Sequence, residues 1–138
     1  MSLSRVLFVS EARATRMRPP ARAVLVSISD PGRAAIDFQP GWLDVLRLQF
    51  HDVDEVTFPG ANPGLLAMSR EQASAVAEFV ERHRLTAQRL VVHCRSGISR
   101  SAGVAKAVAM HRGIAFPPDY AEFNVQVCRQ VGAALATR

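Results

Sequence analysis

The chain has 138 residues, 49% of them hydrophobic and 21% charged, which suits one globular domain with a real core. No apolar run approaches the length of a membrane span, and Val6-Leu7-Phe8-Val9 is too short for a signal-peptide core, with Arg5 before it and most of the nearby arginines (Arg13, Arg16 and Arg18) after it. The net charge of +5 is spread over the whole chain and aromatics make up only 7%, so the charge reads as a solvated surface with some attraction for acidic or phosphorylated substrates, not as a nucleic-acid patch.

In chain order, residues 6–9 form a short apolar strand ended by Ser10. Ser10 can cap a short helix over 11–17, which Pro19-Pro20 stops. Residues 23–28 are a second buried strand rich in Val and Ile, closed by the turn Asp30-Pro31-Gly32. Residues 33–41 read as a loop, and 45–50 as a third strand. The polar stretch 51–63, broken by Pro59-Gly60 and Asn62-Pro63, is a loop. Ser69 and Gln72 then form a capping box for a helix to about His83, with Ala73, Val76, Ala77 and Val80 on its core face. Residues 89–92 are a fourth strand.

The run 102–110 is apolar almost all round, which predicts a helix buried on most sides and ended by Gly113. Asp119 and Glu122 suggest a cap for a last helix over roughly 120–137. Strands separated by helices predict a three-layer α/β domain spanning 1–138: a mostly parallel, four- to five-stranded sheet with helices on both faces. Ligands of such sheets bind beyond the carboxyl ends of the strands. Two cysteines, Cys94 and Cys128, are too few for a disulfide scaffold; a reducing, cytoplasmic setting is expected, with Cys128 a small buried hydrophobe.

The chemistry centres on His93-Cys94-Arg95-Ser96-Gly97-Ile98-Ser99-Arg100-Ser101. Strand, tight loop and helix are arranged there so that backbone amides and the helix's positive end face an anion. A thiol is a poor nucleophile unless it is thiolate, and helix N-termini and arginines favour the thiolate. Residues Arg95, Ser96, Gly97, Ile98, Ser99 and Arg100 would bind three phosphoryl oxygens, Arg100 as a planar fork, with Gly97 permitting the turn. Attack by Cys94 would form a thiophosphoryl intermediate that water hydrolyses.

His93-Cys94-x-x-Gly97-x-x-Arg100-Ser101 resembles the signature of cysteine-based protein tyrosine phosphatases, and its Gly97-to-Ser101 ending resembles their small, dual-specificity-like bacterial branch. The likeness runs from about Val24 to Ser101, including Leu46-Arg47-Leu48-Gln49-Phe50-His51-Asp52, and continues more weakly over 120–131. The resemblance implies a tyrosine-phosphatase-like fold in which Cys94 is the nucleophile and Arg100 stabilises the transition state. It also implies that Ser101 bonds the leaving sulfur and His93 orients the loop. Asp52 matches the general acid by position; Asp54 is the alternative and Glu55 a third.

The segment 52–69 is longer than the family's usual link and offers a loop that could shape substrate choice. No cofactor is implied. His51-Asp52-x-Asp54 lacks the further ligands of a metal site. The expected partner is a phosphorylated protein or peptide, with phosphate or another oxyanion in the loop, and neither nucleic acid nor membrane is expected. The alternatives are a phosphatase of phosphoinositides, nucleotides or RNA 5′-phosphates, a sulfurtransferase or arsenate reductase, and a catalytically idle phosphoprotein-binding module.

Overall fold

In the computed structural model, which describes residues 2–138, the chain runs β1 (Arg5–Ser10), α1 (Glu11–Arg16), β2 (Ala23–Ser29), β3 (Val45–Gln49), α2 (Arg70–His83), β4 (Arg89–Cys94), α3 (Arg100–Arg112) and α4 (Val125–Ala136). The strands form one all-parallel sheet in the order β1-β4-β2-β3. β2 is buried at every position and β4 at all but its first, so both are covered on two faces and read as continuous apolar runs.

The two faces are covered unequally. Val24, Val26, Ile28, Leu90 and Val92 pack against Val76 and Val80 of α2, Val104 and Val108 of α3, and Val127 and Val131 of α4. On the other face Val9, Leu25 and Val91 pack with Ala14 of α1 and with Met17, Phe38, Trp42 and Val45. The sequence predicted helices on both faces; on the second face that cover is one six-residue helix and an irregular segment.

Local signals fix several boundaries. The Ser69 hydroxyl accepts from the Gln72 amide at 3.0 Å and the Gln72 side chain accepts from the Ser69 amide at 2.9 Å, closing the capping box of α2. Gly113 ends α3 in the left-handed region with φ 67°. α3 is buried at nine of its thirteen positions and packs between the sheet and α4. Cys128 lies half-buried against the same core, and burial pushes its thiol up.

The last helix is shorter than the sequence predicts. Asp119 and Glu122 do not cap it; α4 begins at Val125, and Asn124 is its cap, accepting from the Val127 amide at 2.9 Å. A second cap comes from far away in the chain. The Asp54 carboxylate accepts from the Val125 amide at 2.8 Å and the Gln126 amide at 3.2 Å. This carboxylate serves the positive end of α4, so the helix starts where Asp54 can reach it.

Candidate active site

β4 lies between β1 and β2, and its last residue, Cys94, ends at the carboxyl edge of the sheet opposite Ser10. The chain then turns through residues 95–99 into α3, which packs against β1 and β4. Gly97 has φ 74°, and a Cβ there would lie 2.8 Å from the Val9 carbonyl oxygen. Only glycine meets both the backbone angle and the close approach of β1. The Glu11 amide donates to the Arg95 carbonyl at 3.2 Å, tying the loop to the start of α1.

Cys94 is buried, and its Sγ lies 3.1 Å from the Ser101 Oγ, itself wholly buried on the first turn of α3. Ser99 precedes that helix but makes no side-chain cap to it; its hydroxyl donates instead to Asp52 Oδ1 at 2.8 Å. The first amides of α3 are therefore not occupied by the usual capping side chain, the arrangement that suits an anion.

Arg100 is 5% exposed. Its Nη1 donates to Asp30 Oδ1 at 2.8 Å and to the Phe50 carbonyl at 2.6 Å. Both bonds use one nitrogen, so among the described residues the rest of the fork has no protein acceptor. Asp30 directly follows β2 and Phe50 directly follows β3, so two neighbouring strand ends hold the guanidinium.

His93 is wholly buried on the other side of β4, with Nε2 2.6 Å from Ser27 Oγ, Nδ1 3.3 Å from the Cys94 carbonyl and the Phe38 ring packed edge-on. Burial lowers its pKa, more than the Cys94 carbonyl raises it, so the ring is neutral at pH 7. A neutral ring accepts from the Ser27 hydroxyl and donates to the Cys94 carbonyl, which orients the strand end and the loop entrance.

Because the unfolded chain binds this proton more readily, stability from His93 is complete above about pH 6.5 and is lost as pH falls below it. Denaturant unfolding from pH 7.5 to 5.5 should show stability declining by at most about 1.4 kcal/mol per pH unit from this group, a slope that His93→Asn should flatten.

The two candidate acids are placed differently. Asp52 is exposed, and its Oδ1 accepts from Ser99 and, at 2.9 Å, from the Asn124 side-chain amide, leaving Oδ2 without a protein partner among the described residues. Asp54 is buried. It accepts from the Thr57 hydroxyl at 2.8 Å and the Thr57 amide at 3.1 Å, besides capping α4. Burial alone would raise its pKa, but the Val125, Thr57 and Gln126 donors outweigh it and hold the carboxyl below the usual range. Glu55 is exposed and accepts from the Gly60 amide at 2.7 Å. His51 turns away from this group, its Nδ1 accepting from the Leu66 amide at 3.0 Å. Among the described residues no three His, Cys, Asp or Glu side chains cluster as a metal site would require.

Two residues of the site carry no sequence signal of their own. Asn124 donates to Asp52 and to the Val53 carbonyl at 2.9 Å, while its backbone amide donates to the Ser99 carbonyl at 3.0 Å. It joins the cysteine loop, the acid segment and α4. Asp30 was visible only as a turn residue, yet it anchors Arg100 from seventy positions away.

No protein-family model matches the chain, and no curated protein sequence is significantly similar to it.

Proposed function

We propose that the chain is a cytoplasmic phosphomonoester hydrolase of the cysteine-dependent protein-tyrosine-phosphatase type, with a tyrosine-phosphatase-like fold and dual-specificity character. The observation that carries this reading is the meeting of four groups at one edge of the sheet. They are the Cys94 sulfur beside Ser101, the open amides of the 95–99 loop, the anchored Arg100, and Asp52 bonded to the loop through Ser99.

In the first step the thiolate of Cys94 attacks phosphorus, an S–P bond forms and the P–O bond to the substrate breaks. Asp52, protonated on Oδ2, gives its proton to the departing oxygen. The loop amides and the unoccupied donors of Arg100 bind the three phosphoryl oxygens, whose charge spreads in the transition state. In the second step water attacks phosphorus, its proton returns to the Asp52 carboxylate and the S–P bond breaks. Ser101 then donates to the sulfur as it leaves as thiolate. His93 stays neutral and moves no proton.

An idle binding module would need the acid segment displaced from the loop, whereas Asp52 is bonded to its rim. The reading is tested by assaying purified protein with an aryl phosphate, and in parallel with thiosulfate and with arsenate plus thiol. Phosphate release inhibited by vanadate is expected. Turnover of thiosulfate or arsenate without phosphate release would assign the same loop to sulfur transfer or arsenate reduction.

A further inference from the structure

A cleft of about 650 Å³ opens beside the cysteine loop and shares Asp52, Ile98 and Ser99 with its rim. Phe58 from the long acid segment and Phe123 from the stretch before α4 give it apolar surface, and Phe58 is 61% exposed. Tyr120 fixes the wall between cleft and loop: its hydroxyl donates to the Ile98 carbonyl at 2.6 Å and its ring packs against Phe8 with centroids 4.9 Å apart. Burial raises the Tyr120 pKa, as does Glu122, so it remains a hydroxyl donor.

The cleft is acidic within a basic chain. Four carboxylates, Asp52, Asp54, Asp119 and Glu122, line it against one ammonium, whereas the chain as a whole carries +5. Asp52 and Asp54 are already bonded to Ser99, Asn124, Thr57 and the amides of α4. Asp119 and Glu122, which the sequence suggested as caps, are exposed and make no ion pair among the described residues. Lys106 forms no ion pair with them among the described residues; its Nζ lies 3.9 Å from the centre of the Phe123 ring.

We propose that this cleft is a specificity subsite that selects phosphopeptides carrying arginine or lysine within two residues of the phosphorylated side chain. The proposal rests on the hydrolase reading given above. An extended peptide advances about 3.3 Å per residue, so a neighbour of the phosphoresidue held at Ser99 and Arg100 falls over the cleft. The alkyl stem of arginine or lysine would lie on Phe58 and Ile98 and its charged end would meet Asp119 and Glu122. The net positive charge draws phosphorylated substrates in at long range, whereas contact in the cleft decides among them by the charge of the flanking residue.

The test compares kcat/KM for tyrosine-phosphorylated peptides that differ only in arginine, alanine or glutamate beside the phosphotyrosine. The arginine peptide should be favoured over the glutamate one by about tenfold, and the doubly substituted D119N/E122Q enzyme should reduce that ratio to about two. Turnover of a small aryl phosphate by that variant should be unchanged. No preference in the unaltered protein, a preference for glutamate, or a preference that survives the double substitution would each overturn the assignment.

Binding of the same peptides to Cys94→Ser separates this from the hydrolase reading. A charge preference in this binding, alongside absent turnover of any phosphate ester by the unaltered protein, overturns hydrolysis and keeps the subsite. Equal binding of all three peptides overturns the subsite whatever the turnover.

Discussion

Replacing Cys94 by serine is expected to reduce phosphate-ester turnover to background, a loss of at least about 10⁴-fold, while phosphate or vanadate still binds. The two halves of this expectation come from different parts of the site. Turnover requires a sulfur that is thiolate in an appreciable fraction of molecules and that leaves readily in the second step; a serine hydroxyl is neither. Anion binding uses the loop amides, the open first turn of α3 and Arg100, and none of these depends on the sulfur. Arg100 is held by Asp30 and the Phe50 carbonyl, and Gly97 is locked against Val9, so the loop should keep its shape when one buried sulfur becomes an oxygen. Calorimetric titration with vanadate and a continuous phosphate-release assay on the same preparation measure both halves. Retained turnover would remove Cys94 from the mechanism. Lost vanadate binding with the fold intact would mean that the sulfur also shapes the cradle.

What the sequence conveyed about this site follows the range of the interactions. The loop from His93 to Ser101 is legible because its parts are neighbours: a buried strand, a glycine where a side chain would strike β1, and a serine on the first turn of the helix, 3.1 Å from the sulfur. The same holds for the Ser69/Gln72 capping box and for Gly113, each a signal read within three or four residues.

What could not be read is held together across the fold. The start of α4 depends on Asp54, seventy-one positions before Val125, and that partner displaces the local pattern of Asp119 and Glu122. Asn124 looks like any polar residue before an apolar run until the Asp52 and Val53 positions are brought to it. The second face of the sheet shows the same effect. Phe38 and Trp42 lie in a stretch without periodicity that reads only as a loop, yet they cover Leu25 and Val91 beside the short helix α1.

The assignment of the acid turns on the contrast between Asp52 and Asp54, and Asp52→Asn should separate chemistry from scaffolding. Asparagine keeps a side-chain oxygen to accept from Ser99 and Asn124, so the segment should stay against the loop; what is lost is the proton on Oδ2. An ester with a good leaving group, such as a nitrophenyl phosphate, departs without that proton, and its kcat should fall by about tenfold or less. Phenyl or alkyl phosphates need the proton, and their kcat should fall by about 10²–10³-fold.

Asp54→Asn should do the reverse. Its carboxylate is held below the usual range by four donors and serves the positive end of α4, so it carries no proton near neutral pH. Its loss should lower unfolding stability by about 1 kcal/mol, seen in denaturant titration, and leave the ratio of rates between good and poor leaving groups unchanged. If the Asp54 substitution is the one that makes rate depend steeply on the leaving group, the proton comes from Asp54 and the Ser99–Asp52–Asn124 arrangement is a brace for the loop alone.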